Sequence, residues 1–407
     1  MVRAEIIGRS KKLQETAPPL ERLLGMSEAL KQAGDEAQEI RHIPAWASNE
    51  IADQGLYRFA LPQELGGEDV STRDQIEIVE AASAIDGSVG WCVHINSEIN
   101  SLLLRRMSME LVPDFYDDWR VLACAGVGPG LETARARPVE GGWRLWCQGS
   151  FASGCHNATW AMVHTRSEGV PLEGGGSSER AFLMPRGDWE IVDTWDTAGL
   201  RGSGSADVKV DGPFIPEKAT LPKDLFGTCE TFASPTLRNP MQAHYNKGAV
   251  ALGIARGAIN DLIELAMEKT PWGSGSLLAD QPELQYRLGE AEATVRAAKA
   301  FMIDAQEVTE RHLGPLPKDG GRARPDWEVT QRSFLSCVHA AQVSRHVVDT
   351  IHNTAGTTAS RMESPLERRL RDSHQAAAHA AISWRQYRNL GSTYLGNEIP
   401  GLSAPRA

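Results

Sequence analysis

The chain has 407 residues, room for two or three domains around a sizeable core, and a net charge of −11, which leaves no broad basic surface for nucleic acid. No stretch of 18 apolar residues is present to span a membrane, and the first 20 residues are charged throughout and lack the apolar run of a signal peptide. The six cysteines (Cys92, Cys124, Cys147, Cys155, Cys229, Cys337) are scattered with no Cys-x-x-Cys, as expected of reduced, mostly buried thiols in a cytoplasmic protein rather than of a disulfide framework or zinc site.

Residues 1 to about 118 read as helices. Apolar residues recur at helical spacing from Glu21 to Arg41, Pro44 ends or bends that helix, and Ala45 to Gly55 forms another. Pro62 and the pair Gly66-Gly67 stop any helix in the stretch that follows. Asp74 to Ile85 is helical again, and Asp86-Gly87-Ser88 is placed to cap a helix containing Gly90-Trp91-Cys92-Val93-His94. From about Val121 the pattern changes to short runs separated by Gly and Pro turns: Val121–Val127 closed by Gly128-Pro129-Gly130, Ala134–Val139, Trp143–Cys147, Thr159–His164, Ala181–Pro185, Trp189–Asp193 and Ala206–Val210. Such runs predict an antiparallel barrel or sandwich over residues 119–225, with 167–180 as a mobile surface loop. From 226 to 407 the chain returns to long Ala-rich helices (Met241–Met267, Gln281–Arg311, Trp327–Thr354), with a Pro-rich connector at Gly314–Pro325 and a last segment beyond Pro365, which together make a four-helix bundle. The expected domains are therefore 1–118, 119–225 and 226–407, an α+β architecture.

Four stretches carry candidate chemistry. Gln148-Gly149-Ser150-Phe151-Ala152-Ser153-Gly154 follows a strand, and its backbone N–H groups and hydroxyls suit the polar edge of a flat ring, although Ser-Gly is also an ordinary turn. Trp195-Asp196-Thr197-Ala198-Gly199-Leu200-Arg201-Gly202-Ser203-Gly204-Ser205 lacks the surrounding βαβ of a dinucleotide fingerprint; its Arg201 suits a phosphate, or is a solvated loop residue. His94 is either a core histidine or a pocket residue. Near the C-terminus, Glu367-Arg368-Arg369-Leu370-Arg371-Asp372 leads into an Ala-rich segment bearing His374 and His379, which at about 100° per residue point to well-separated sides of a helix. On the bundle, the cations of Asn246-Lys247-Gly248, Arg256 and Arg287 are phosphate clamps, solvated faces or subunit contacts, and Arg371 with Asp372 reads as a structural ion pair.

The order of these motifs resembles the acyl-CoA dehydrogenase superfamily over nearly the whole chain: the Leu61-Pro62-Gln63-Glu64-Leu65-Gly66-Gly67 segment, the Trp195–Ser205 segment, and Ala355-Gly356 followed by Ser364-Pro365-Leu366-Glu367-Arg368. The resemblance implies an N-terminal helical domain, a central β-barrel or sandwich and a C-terminal four-helix bundle. In many dehydrogenases of the superfamily a glutamate base lies nine residues beyond the Arg of Arg-Asp; here that place is Ala380, which cannot remove a proton, and His379 precedes it. The closer resemblance is to the reduced-flavin-dependent monooxygenases of this fold, the oxygenase components of p-hydroxyphenylacetate and secosteroid phenol hydroxylation.

That branch implies a chain using reduced FMN or FAD from a separate flavin reductase, and O₂, to hydroxylate an aromatic, phenolic small molecule through a C4a-hydroperoxyflavin. It implies Phe151, Ser153, Gly154, Trp195, Arg201, Ser203 and His379 around the flavin, and His94 with Trp91 around the substrate. The roles implied are Ser153 near the flavin N5, His379 as acid/base or peroxide stabiliser, and His94 orienting or deprotonating the substrate. A homotetramer is implied, with a dimer the minimal alternative. N-hydroxylation or S-oxidation uses the same layout. An acyl-thioester dehydrogenase would need a buried Glu or Asp facing the flavin, with Asp261 and Glu264 on a plausible helix. A helical scaffold without flavin chemistry would have a closed pocket.

Overall fold

The computed structural model describes residues 2–126, 134–166, 179–222, 232, 234–314 and 326–397. The first third is helical: α1 Ala4–Thr16, α2 Pro19–Gly25, α3 Ser27–Ile40, α4 Ala45–Asp53, α5 Thr72–Ile85, α6 Gly87–Leu104 and α7 Val112–Tyr116. The helix expected over Glu21 to Arg41 is two, because Met26 leaves helical geometry (φ −98°, ψ 7°) beside the weak helix former Gly25. α3 buries Leu30, Ala33, Gly34 and Ala37, one stripe at i, i+3, i+4 and i+7. α6 has no such stripe. Ile95 aside, each of its residues is buried, because α3, α5, α9 and the first strand wall it in. Its N-terminus is capped by Asp86, whose carboxylate accepts from the backbone N–H of Ser88 (2.9 Å) and Val89 (3.0 Å).

Among the described residues the central region has eight strands: β1 Ala123–Gly126, β2 Arg135–Val139, β3 Gly142–Gly149, β4 Trp160–Arg166, β5 Glu179–Pro185, β6 Glu190–Val192, β7 Asp207–Pro216 and β8 Thr220–Pro222. They form two four-stranded sheets, β1-β4-β5-β8 and β2-β3-β7-β6. β3 alternates as its sequence demands, with Trp143, Leu145 and Cys147 inward and Arg144 and Gln148 outward. Pairing is antiparallel except between β1 and β4, which run parallel with Ala123 opposite Trp160. β8 escapes sequence reading because three residues carry no alternation. Gly128-Pro129-Gly130, most of the 167–180 loop and the connector at 315–325 lie outside the described residues.

The last part comprises α8 Pro235–Arg238, α9 Gln242–Glu268, α10 Pro282–Leu313, α11 Trp327–Ala355, α12 Pro365–Ala377 and α13 Arg385–Thr393. α9 is the bundle's axis and packs on α5, α6, α10, α11 and α12. Its glycines permit the approach to α5: a Cβ on Gly253 would stand 2.3 Å from the Glu80 carbonyl oxygen. None of the described helices is long and apolar enough to cross a membrane.

α12 fastens the three regions to one another. Arg369 donates to the carbonyls of Ser83 (3.1 Å), Ala84 (2.6 Å) and Ile85 (3.1 Å), the free acceptors at the end of α5, and pairs with Asp261 on α9 at 3.0 Å. Arg368 reaches Asp86, the α6 cap, at 3.0 Å. Asp372 accepts from the Leu200 N–H at 2.6 Å, and Arg371 pairs with Glu367 at 2.7 Å rather than with Asp372 as the sequence suggested. Arg369→Ala strips a helix end of its donors and leaves Asp261 unpaired, so an unfolding free energy lower by about 3 kcal/mol is expected in urea titrations. Arg361→Ala, on an exposed side chain, should stay within about 0.5 kcal/mol of the parent.

Candidate active site

α6 sets Trp91, His94 and Glu98 on one stripe, at i, i+3 and i+7. Trp91 is the meeting point. Its Nε1–H donates to Ser153 Oγ at 3.0 Å, its ring meets His94 edge-on with centroids 5.0 Å apart, and His379 lies 5.6 Å from it on a tilted plane. Ser153 shares a hydrogen with Ser205 (2.7 Å), which shares one with Ser203 (2.8 Å), so the turn after β3 and the Trp195–Ser205 loop are joined by a chain of buried hydroxyls. With Ser205 as donor in the first of these, the Ser153 proton is free for a ligand. Gly154 holds the turn at φ +74°, where a Cβ would come within 2.7 Å of Asn96 Oδ1.

Behind His94 stands an ion pair. Glu98 Oε1 receives a hydrogen bond from Lys247 Nζ at 3.1 Å, and Lys247 also donates to the Ala243 carbonyl at 2.8 Å. Both side chains are at most 5% exposed. Burial pushes the Glu98 carboxyl up, but Lys247 and His94 outweigh it and hold the carboxyl at about 2. Burial also lowers His94, against the upward pull of Glu98. His244, on α9 beside Lys247, is pushed down to about 4 by burial and then by that ammonium. His379 is pushed down to about 3, by burial first and then by Lys247 and His94. At neutral pH the three imidazoles are uncharged and the Glu98 and Lys247 charges cancel.

The tautomers follow from the partners. His379 Nδ1 accepts from the Ala381 N–H at 3.2 Å, which leaves the ring proton on Nε2 as a donor. His94 Nδ1 stands 3.4 Å from Glu98 Oε2, within ion-pair range but without a well-formed hydrogen bond, and its Nε2 has no partner among the described residues. His244 Nδ1 and both amide atoms of Asn246 are likewise buried without a partner. Buried polar atoms are rarely left so, and the unpartnered His94 Nε2 has hydrogen-bonding capacity for a bound molecule. Phe151 sits at the rim with φ +62° and 64% exposure, edge-on to Trp195, in a strained, uncovered position beside the Ser153 hydroxyl. Aromatic edges, a free hydroxyl and an imidazole N–H suit a flat ring with hydrogen-bonding edges, so the residues present fit a flavin.

Other expected positions resolve differently. His379 lies on the turn beyond α12, which ends at Ala377 two residues short of it. His374 is exposed and pairs with Asp349 at 2.7 Å. Trp195 is buried and donates to the Leu200 carbonyl at 3.2 Å. Arg201 is bound to Asp196 (2.6 Å) and to the Gln38 carbonyl (2.8 Å), bracing its own loop. Arg256 pairs with Glu292, and Arg287 with Glu283 and Glu290. Asp261 is taken by Arg369, and Glu264 is exposed. Glu98 escaped sequence reading, and Lys247 was left open between a phosphate clamp and a solvated or subunit-contact cation; the His94-x-x-x-Glu98 spacing was the available signal.

Residues 20–111 match the N-terminal domain of acyl-CoA dehydrogenases, and residues 245–384 match a C-terminal domain of the same family. The chain belongs to the acyl-CoA dehydrogenase family. It is 29% identical to the indole-3-acetate monooxygenase of Pseudomonas putida, over 89% of this chain and 90% of that protein. It is 24% identical to the oxygenase component of an FADH₂-dependent resorcinol hydroxylase from a Rhizobium species, over 93% and 94%. The 3-HSA hydroxylase of Rhodococcus sp. RHA1 superposes with a TM-score of 0.81 at 24% identity, covering 95% of this chain and 98% of that one.

His244 ties stability to pH. Its folded pKa of about 4 lies below the value near 6.5 of an unfolded histidine, so between these the unfolded chain binds more protons. Stability is therefore complete above about pH 6.5 and declines as pH falls toward 4. His244→Gln should flatten that decline in unfolding titrations run at stepped pH.

Proposed function

We propose that the chain is the oxygenase component of a two-component flavin-dependent monooxygenase that hydroxylates an aromatic small molecule. The observation that carries this reading is the convergence of Ser153, His94 and His379 on Trp91, in a pocket whose one buried carboxylate is neutralised by Lys247. The resorcinol hydroxylase relative is FADH₂-dependent, and we take reduced FAD or FMN, delivered by a separate reductase, as the cofactor.

Phe151, Ser153, Gly154, Trp195 and His379 would hold the flavin ring, with Ser203 and Arg201 shaping the loop beneath. When bound, the reduced flavin supplies two electrons and activates O₂, so that one oxygen atom enters the substrate ring and the other leaves as water. Ser153 would donate a hydrogen bond from its hydroxyl to the edge of the flavin ring. His379, neutral with its proton on Nε2, donates a hydrogen bond where negative charge develops on oxygen. His94 Nε2 accepts the proton of the substrate's O–H or N–H, making the ring more electron-rich for attack. Burial of α6 on all sides keeps water from this space.

An acyl-thioester dehydrogenase is disfavoured by the same geometry. Its base must be a free carboxylate; Ala380 has none, Glu98 is locked to Lys247, Asp261 to Arg369, and Glu264 faces solvent. We further take the protein to be a cytoplasmic homotetramer, which sedimentation velocity checks.

Mixing the protein with reduced FAD or FMN and aerated buffer should give an absorbing species distinct from both reduced and oxidised flavin that persists for seconds. Immediate return to oxidised flavin, as in buffer alone, would sink the reading. With substrate and ¹⁸O₂, one labelled oxygen should enter the product. His94→Ala should lower kcat for hydroxylation by about 10²-fold while reduced flavin is still consumed, and His379→Ala should shorten the life of the absorbing species.

A further inference from the structure

The buried Glu98–Lys247 pair joins α6 to α9, which Ser101 also links by donating to Gln242 Oε1 at 3.0 Å. Two charges drawn this far out of water contribute little to stability on their own account. Their position gives them another use. Glu98 is one helical turn from His94, with Oε2 3.4 Å from Nδ1, and is held there by Lys247, itself anchored on the Ala243 carbonyl. An anionic oxygen beside Nδ1 favours the ring proton on that nitrogen, and Nε2 is then a buried lone pair with no partner among the described residues.

The other titratable groups around His94 are His244 on α9 and His379 on the turn after α12, both neutral at physiological pH. His379 carries the opposite tautomer, with Nε2–H as donor. His94 Nε2 is thus an acceptor and His379 Nε2–H a donor, and the neighbouring charges of Glu98 and Lys247 offset each other.

We propose that the Glu98–Lys247 pair is a positioning device that fixes His94 as an acceptor through Nε2, and that the site accordingly takes an aromatic ring that is uncharged on binding and carries an O–H or N–H. This rests on the monooxygenase reading above. The proton leaves the substrate oxygen or nitrogen for His94 Nε2, Glu98 holds the imidazolium through Nδ1–H, and the proton returns to product on release. Lys247 keeps Glu98 from taking that proton itself and moderates its pull on His94.

The test begins with flavin-free, full-length protein labelled with ¹⁵N-histidine, with His94→Gln used to assign the signals in solid-state spectra. The wild-type His94 signal is expected to be that of the Nδ1-protonated tautomer. Glu98→Gln should move its titration midpoint to lower pH, since an anion that favours the imidazolium is lost. Lys247→Met should move it to higher pH, since a repelling cation is lost. Opposite displacements support the proposal; an Nε2-protonated His94, no displacement, or displacement of both in one direction overturns it. If either single variant fails to fold, Glu98→Gln/Lys247→Met leaves no lone buried charge, and loss of the single tautomer is then the expected result and its retention the overturning one.

In turnover with resorcinol or indole as probe, Glu98→Gln should lower kcat by about 10- to 100-fold with KM within about threefold. Benzoate, anionic on binding, should bind more weakly than phenol to the wild type, and equal affinity would overturn the substrate assignment. A protein that shows the tautomer response but hydroxylates nothing would leave the positioning role standing and remove only the reaction.

Discussion

The structure depends on one cluster of charged hydrogen bonds, those of α12. Within five residues, Arg368 holds the cap of α6, Arg369 closes the end of α5 and reaches α9, and Asp372 anchors the Leu200 N–H of the loop that carries Trp195, Arg201 and Ser203. Each contact crosses between regions and ends on backbone or on a side chain no more than 15% exposed. The site lies inside this framework. α6 brings Trp91, His94 and Glu98, the turn after β3 brings Ser153, and the turn after α12 brings His379.

Within the framework, burial does the electrostatic work. Three imidazoles are kept neutral because their charged forms cannot be solvated, and the one carboxylate stays ionised because an ammonium shares its burial. A neutral imidazole is either a donor or an acceptor at its free nitrogen, and the difference between His379 and His94 is made by what stands at Nδ1: a backbone N–H in one case, a carboxylate in the other. Chemistry that separates proton acceptance from stabilisation of developing charge therefore needs no difference in residue type.

Helix periodicity, short alternating strands and Gly/Pro punctuation were enough to read helices, then strands, then a bundle, because those patterns are local. The stretches around Ser153, Trp195–Ser205 and His379 were legible as motifs. His379 was nevertheless assigned to a helix, since an Ala-rich run carries no stop signal of its own, whereas α12 ends at Ala377. Lys247 was read as a free cation and Glu98 passed unread, because a buried pair between residues 149 apart in sequence leaves no local trace. Arg201 looked suited to a phosphate for the same reason in reverse: its partner carbonyl, Gln38, lies 163 residues away.

The sequence by itself determined the order of elements, the positions of the turns that carry Ser153 and Ser203 and the absence of a glutamate at residue 380, all of which are properties of short segments. Only the tertiary structure decided which charges are neutralised, which carboxylate is buried, and which nitrogen of each histidine is free. Those depend on desolvation and on partners drawn from distant parts of the chain, and neither quantity exists until the helices have packed.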